Sequence, residues 1–329
     1  EYRDPNPGRI DLTSVWLSLA TILTVIYGLK ELARNGPETV PILAIIAGGV
    51  VGAVFLRRQQ TLDAPMLDLQ LFGNRVFSTV VATHLFSMFM LAGMQFISAQ
   101  HLQLVLQLSP LDAGLWMVPA AVGGMAGALL AAQFVRLMTP AWAIASNLLV
   151  GVVGFGLLTQ VQVSGGLTLL ISGLIIATYA VSLVTALTTD LIISSAPSDK
   201  AGLASGISET SAEFGIAMGV AVLGSVSTAV YRINLTGSLP SDISGSARST
   251  ALDTLGGAVA IAQELPALLG DLLLESARNA FTEGLAAAAA IGGLAMLVLA
   301  VLCLVMLRES PRSADDQESA NVSAAFAND

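Results

Sequence analysis

The chain has 329 residues and a net charge of −9, and 54% of its residues are hydrophobic whereas only 11% are charged. About one quarter of the residues in a soluble domain are charged, so this composition could not cover a water-facing surface. It excludes a soluble enzyme, a nucleic-acid-binding protein and a disordered chain. Long apolar stretches that alternate with short polar ones are typical of a polytopic membrane protein.

Eight segments are long and apolar enough to cross a membrane, which takes roughly 20 residues for a helix. The sequence therefore predicts an all-α fold with eight transmembrane helices. We place them at residues 11–29, 40–56, 77–99, 111–133, 141–159, 167–189, 203–230 and 281–306.

The distribution of Lys and Arg predicts the orientation of these helices. If both ends of the chain lie in the cytoplasm, nine of the 14 Lys and Arg residues fall on the inside and five on the outside. Cytoplasmic loops have an excess of positive charge, so we expect this orientation in the inner (cytoplasmic) membrane. Residues 1–76 then comprise a cytoplasmic lead-in, two helices and a cytoplasmic loop. Residues 232–279 form an outside loop with one or two short amphipathic helices, and residues 307–329 form a disordered cytoplasmic tail.

The predicted helix 203–230 is the one span with carboxylates in its interior. Glu209 and Glu213 are four residues apart and therefore share one face of the helix. A charge at the bilayer centre costs at least ~2.5–3.5 kcal/mol, so carboxylates there indicate a functional site. Such a pair can exchange a proton or neutralise a cation, and we interpret both residues as a proton- or substrate-coupling site. Alternatively, the helix starts later and Glu209 lies in a solvated first turn.

Small residues and a proline indicate how two of the helices pack or move. Gly215 and Gly219 form a G-x-x-x-G step that points away from the carboxylate face, which predicts close packing against a neighbouring helix. Pro119 precedes Gly123 and Gly124 in the predicted helix 111–133. Because proline can kink a helix, we interpret these five residues as packing or hinge positions of a moving bundle.

Three other polar residues fall inside predicted spans. His84, Gln95 and Asn147 either line a cavity or form hydrogen bonds between helices. We expect His101 in an outside loop. Two distant histidines and the lone Cys303 do not form a metal site, and the sequence contains no phosphate-binding glycine loop and no nucleophile with a base. We therefore expect no cofactor and no enzymatic activity.

Several carboxylates near predicted helix ends have structural explanations. Asp112 follows Ser109 by three residues, which is the spacing of a capping box. We expect Glu283 to cap the start of the last helix. Asp190 follows the predicted helix 167–189, and we expect it to pair with Lys200.

Four stretches of the chain match a known pattern, and the likeness extends over nearly the whole chain. They are Arg9-Ile10-Asp11 before the first helix, residues 64–78, residues 101–119 and residues 201–225. They resemble the major facilitator superfamily, and within it the 14-helix drug:proton antiporters of the EmrB/QacA type. The four stretches look like the start of that family's seventh helix, the entry to its ninth, the connection from ninth to tenth, and the thirteenth. Gln107 stands where glycine is usual.

The resemblance implies an arrangement and a set of partners. The first two predicted helices correspond to the linker between the halves of such a transporter, and residues 77–306 to its C-terminal six-helix bundle. The N-terminal six helices would be absent, and a chain that starts at Glu1 rather than Met suggests a fragment. Glu209 and Glu213 match the acids that the family associates with substrate or proton handling.

The expected function is proton-coupled efflux of lipophilic, often cationic drugs by alternating access. Its partners would be the small-molecule substrate, protons, the lipid bilayer and the missing six-helix half. Two alternatives remain open. The protein could export an endogenous metabolite, lipid or antibiotic, or it could be a non-transporting membrane scaffold or pseudo-transporter subunit.

Overall fold

The chain is described by a computed structural model that covers residues 11–35, 39–62, 65, 67–197, 200–239, 243 and 245–307. Ten α-helices and no strand are present in these residues. The helices are α1 (Leu12–Asn35), α2 (Thr39–Gln59), α3 (Arg75–Gln100), α4 (Pro110–Leu137), α5 (Pro140–Leu158), α6 (Leu167–Ser194), α7 (Ala201–Ser238), α8 (Gly245–Asp253), α9 (Leu255–Glu264) and α10 (Ala267–Met306). The expected lead-in at residues 1–10 and tail at residues 308–329 lie outside the described residues.

Eight of the described helices are long and apolar enough to cross a membrane, which confirms the predicted number. They are all the helices except α8 and α9. Consecutive spans run in opposite directions, so α1, α3, α5 and α7 begin on one side of the membrane, which we call the first side. Helices α8 and α9 lie on the second side, between the end of α7 and the start of α10.

Short polar residues define where several helices begin. The Asn74 side chain accepts a hydrogen bond from the Val76 amide at 2.9 Å and so caps α3. The Ser109 hydroxyl accepts from the Asp112 amide at 3.1 Å and donates to the Asp112 carboxylate at 2.7 Å. The expected capping box is therefore present at the start of α4, with Pro110 as the first helical residue.

Helices α3 to α7 and α10 form a six-helix bundle, beside which α1 and α2 form a hairpin. Helix α1 packs along α2 and against α7. At the first side, Arg58 pairs with Asp11 through an Nε–Oδ2 contact of 3.0 Å. The buried Gln59 amide donates to Ser14 at 2.7 Å and its oxygen accepts from the Leu67 amide at 3.1 Å. These bonds tie the two ends of the hairpin together and attach it to the segment before α3.

Glycines allow the bundle helices to approach at backbone distance. A Cβ atom on Gly93 of α3 would lie 2.6 Å from the Gly219 carbonyl oxygen of α7, and one on Gly215 or Gly219 would collide with backbone of α3. On α4, a Cβ on Gly123 would lie 3.0 Å from the Ile175 carbonyl of α6. Small residues thus hold the α3–α7 and α4–α6 pairs close together, as is common between membrane helices.

Helices α7 and α10 extend far beyond the membrane on the second side. They contain 38 and 40 residues, which at 1.5 Å per residue gives about 57 and 60 Å against a hydrocarbon thickness of about 30 Å. The expected outside loop 232–279 is therefore shorter than predicted, because α7 runs to Ser238 and α10 starts at Ala267. Helices α8 and α9 are the two short helices that the sequence indicated.

The extension is held together by buried contacts. The Tyr231 hydroxyl of α7 is buried and donates to the Ala251 carbonyl of α8 at 2.7 Å. Contrary to the prediction, Glu283 does not cap the start of the last helix, because α10 begins 16 residues earlier, at Ala267. Its carboxylate accepts instead from the Asn234 amide of α7. This hydrogen bond is exposed at the surface of the chain.

Two further expectations differ from the structure. His101 is not in a loop: it is fully buried at the start of a π-helical segment, His101–Val105, that continues α3. Its Nε2 lies 3.3 Å from the Thr282 hydroxyl of α10. Lys200 pairs with Asp68 at 2.6 Å rather than with Asp190, so a contact distant in sequence replaces the expected local one.

The pKa of Asp11 tests the hairpin contact. A hydrogen bond from Arg58 lowers this pKa from 3.8 to about 2. The stabilisation from this pair is therefore complete above pH 3.8 and is lost as the pH falls through about 2. We expect Arg58→Gln to return the pKa toward 3.8, measured by NMR of the carboxyl carbon, whereas Arg57→Gln should leave it low. Equal effects of the two substitutions would contradict the pairing.

The α3–α7 contact predicts a second result. Gly219→Ala should lower the thermal unfolding temperature in detergent, because the added methyl meets the Phe89 carbonyl of α3 and the helices must separate. Overpacking of this kind costs about 1–3 kcal/mol. Gly156→Ala on α5 is the matched control, since an added Cβ there meets no atom within 4 Å. Because Ala favours a helix more than Gly does, Gly156→Ala should not lower the unfolding temperature. A fall of equal size in both variants would show that the α3–α7 contact is not responsible.

Candidate functional site

Glu209 and Glu213 lie on the face of α7 that is turned away from the bundle. Both are exposed, as are Gly202, Ser205, Gly206, Thr210, Ile216 and Ala217 on the same helix. The opposite face is buried against α3 through Ser211, Gly215 and Gly219. Packing of the glycines therefore fixes the direction in which the two carboxylates point.

The depth of the two carboxylates follows from where α7 begins. The helix starts at Ala201, so Glu213 lies about 18 Å along it, near the middle of a hydrocarbon core of about 30 Å. Glu209 is one turn nearer the first side. It lies in the third turn of the helix, which excludes the alternative of a later start with Glu209 in a solvated first turn.

The two carboxylates have no partner among the described residues. Neither carboxylate has a hydrogen bond or an ion pair with any described residue of the chain. Two negative charges one helical turn apart repel each other. A ligand cation that reaches this face would meet two negative charges that no described residue neutralises.

Helix α3 carries exposed aromatic side chains, one of which reaches α7. Phe86 and Phe96 both lie within this membrane helix, and their side chains are 44% and 43% exposed. A Cβ on Gly224 of α7 would lie 3.4 Å from the Phe96 ring, so this ring reaches α7. Gln95 is half-buried beside it and has no hydrogen bond to any described residue. Sequence patterns had not indicated the two aromatic residues, because an apolar side chain in an apolar span does not reveal which way it faces.

The other two predicted cavity residues lie inside the bundle. His84 is 2% exposed, and its Nδ1 lies 2.9 Å from the Thr188 hydroxyl of α6. Asn147 is equally buried and donates to the Ala143 carbonyl of its own helix at 2.9 Å. A further buried contact joins Thr83 of α3 to Cys303 of α10 at 3.2 Å. Of the three, Gln95 is the one that reaches the surface.

The predicted hinge positions on α4 lie against α6. Helix α4 continues through Pro119 without interruption. A Cβ on Gly124 would lie 2.9 Å from Thr178, so Gly124, like Gly123, allows close approach of α6. Among the described residues, no group of three or more His, Cys, Asp or Glu side chains could hold a metal ion.

Comparison with solved structures identifies a transporter with a similar fold. The chain superimposes on the crystal structure of a bacterial homologue of the human lysosomal transporter Spinster, in an inward-facing and unoccupied conformation. The TM-score is 0.56, the identity 14%, and the match covers 90% of this chain and 70% of that one. The chain has the major facilitator fold. No family model matches it.

Two curated relatives are similar over most of this chain. The multidrug efflux pump LfrA of Mycolicibacterium smegmatis is 37% identical over 305 residues, which is 93% of this chain and 60% of that protein. The methyl viologen resistance protein SmvA of Salmonella typhimurium is 27% identical over 300 residues, 89% of this chain and 59% of that protein. The chain therefore spans about three fifths of the length of the relatives that it matches.

The hydrogen bond between α3 and α6 gives a prediction for the interior. Thr188→Val should lower the unfolding temperature, because it leaves the buried His84 Nδ1 without its partner, at a cost of about 1–3 kcal/mol. Thr185→Val is the control, since the Thr185 hydroxyl bonds to the Val181 carbonyl of the same helix. Circular dichroism during heating measures both, and an equal fall would show that the contact between the helices contributes nothing.

Proposed function

We propose that this chain is the C-terminal part of a 14-helix transporter that exports lipophilic, often cationic compounds in exchange for protons. The single observation that supports this most strongly is the pair Glu209 and Glu213, exposed and unpaired on the free face of α7. The similarity to LfrA and SmvA supports export of drugs rather than a catalysed reaction.

Another part of the full-length protein would cover the exposed face of α7. Carboxylates in contact with lipid are costly, so a second half of the protein would lie over this face and enclose a water-filled cavity at the midplane. That half would be the N-terminal six helices, with α1 and α2 as the linker between the halves. Movement of one bundle against the other would then open the cavity to one side of the membrane at a time.

The chemistry of the face suits exchange of a proton for a cationic compound. Protonated carboxylates would leave the site neutral, and an entering cation would displace the proton because both compete for the same negative charge. The exposed Phe86 and Phe96 rings provide an apolar surface and a partner for cations. Glu213, at mid-depth, would exchange the proton, and Glu209 would accept the substrate or proton nearer the first side.

The orientation of the transporter follows from the distribution of charge. With the first side in the cytoplasm, the pair Asp11–Arg58 and the pair Asp68–Lys200 lie inside, and the extension of α7 and α10 lies outside. Both ends of the described chain are then cytoplasmic, and the protein lies in the cytoplasmic membrane.

Proton-driven ethidium efflux from vesicles that contain the full-length protein tests this function. We expect Glu213→Gln, and the double variant with Glu209→Gln, to reduce uphill efflux to background, because an amide neither binds nor releases the proton. Glu275→Gln is the matched control: it removes a carboxylate from the exposed surface of α10, outside the predicted span. Downhill exchange of ethidium in the same vesicles separates proton handling from substrate binding, since a variant that lost only the proton step retains exchange.

Other outcomes would point to the competing functions. Unchanged efflux and drug range in the double variant would refute the role of the two carboxylates. If no drug but an endogenous metabolite, lipid or antibiotic is transported in a substrate screen, the protein is an exporter of that compound with the same fold. If neither is transported, and no upstream reading frame encodes six more helices, the scaffold function is favoured.

A further inference from the structure

A polar cavity of about 440 Å³ lies on the second side, far from the carboxylates of α7. It is enclosed by the π-helical segment after α3, by α9 and by the first turns of α10. Three amides and two opposite charges line it, together with apolar side chains: Gln103, Gln107, Gln263, Asp271 and Arg278. Its volume is within the range of small-molecule sites, and apolar walls with a few polar groups are typical of them.

The two charges in the cavity face the same space without pairing. Asp271 and Arg278 are seven residues apart on α10, so they lie on nearly the same face, two turns from each other. Long side chains on a helix lean toward its N-terminus, which directs the guanidinium toward Asp271. Yet no ion pair joins the two, nor either of them to another residue of the described chain. An anionic and a cationic side chain without ion-pair partners therefore line the same cavity, two helical turns apart.

Gln107 holds the guanidinium in place. With its amide turned so that the oxygen faces the guanidinium, the orientation that satisfies both groups, Gln107 accepts from Nη1 of Arg278 at 2.9 Å and from Nη2. The Gln107 backbone has a φ of 56°, in the left-handed region that glycine adopts most readily. The backbone of Gln107 is therefore strained, while its side chain orients Arg278. The Nε atom of Arg278 is buried and has no hydrogen-bond partner, so the donors of this side chain are only partly used by the protein.

We propose that this cavity binds a zwitterionic group, with a phosphate or carboxylate at Arg278 and an ammonium at Asp271. The guanidinium presents several donors in a plane and suits an oxyanion, and the Gln103 and Gln263 amides complete the polar wall. Arg278 lies three residues before the predicted apolar span of α10 begins. This is the depth of the membrane surface, where phosphoethanolamine is available as a lipid head group or, in a soluble compound, from the water. The proposal does not depend on proton-coupled efflux.

Two probes with this head group test the proposal. The full-length protein is placed in nanodiscs of phosphatidylglycerol, with phosphatidylethanolamine added as the lipid probe or glycerophosphoethanolamine as the soluble probe. Native mass spectrometry counts the retained lipid, and calorimetry measures binding of the soluble probe. We expect saturable binding of at least one probe, weakened about tenfold or more by Arg278→Gln and by Asp271→Asn. Arg248→Gln on α8 and Glu275→Gln on α10 are matched controls and should leave binding unchanged.

The two probes distinguish a lipid head group from a free ligand, and the binding results also show whether the proposal is wrong. Binding of the lipid alone assigns the cavity to a head group, and binding of the soluble probe alone assigns it to a free ligand. Binding of neither probe overturns the proposal, and so does binding that Asp271→Asn leaves intact, because the cavity would then recognise only an anion. Asp271 is exposed, so its variant folds even if Arg278→Gln does not.

Discussion

The contact between α3 and α7 determines what the rest of the bundle can do. Gly93, Gly215 and Gly219 bring the two backbones together so closely that a single methyl would separate them. Because this contact fixes one face of α7, residues one turn apart on the opposite face point outward. The position of Glu209 and Glu213 is thus a consequence of packing between glycines, and not of any bond that the carboxylates make themselves.

Several buried polar side chains in the membrane region of the bundle pair between neighbouring helices. His84 and Thr188 pair between helices, as do Thr83 and Cys303. Since an unpaired buried polar group costs about 1–3 kcal/mol, such pairs hold neighbouring helices in one register. The two glutamates differ because they lie at the surface, where a proton, a cation or water can satisfy them.

The sequence predicted what depends on local composition, and missed what depends on distant contacts. The eight spans and the shared face of Glu209 and Glu213 follow from apolar length and from the period of the helix. The full lengths of α7 and α10 do not, because hydropathy detects where the membrane ends, whereas these helices continue into water. The pairing of Lys200 with Asp68 joins residues 132 positions apart, and no local pattern reveals it.

The length of α7 also joins the two sites of the molecule mechanically. Glu213 lies about 18 Å from the start of the helix and Tyr231 about 45 Å from it, and Tyr231 is bonded to α8. Helix α8 in turn packs against α9, which forms one wall of the polar cavity. A tilt of α7 that reorients its carboxylates must therefore also displace this wall, unless the buried bond from Tyr231 to Ala251 breaks. The hydrogen bond from Tyr231 to Ala251 and the packing of α8 on α9 thus connect α7 to the wall of the cavity on the second side.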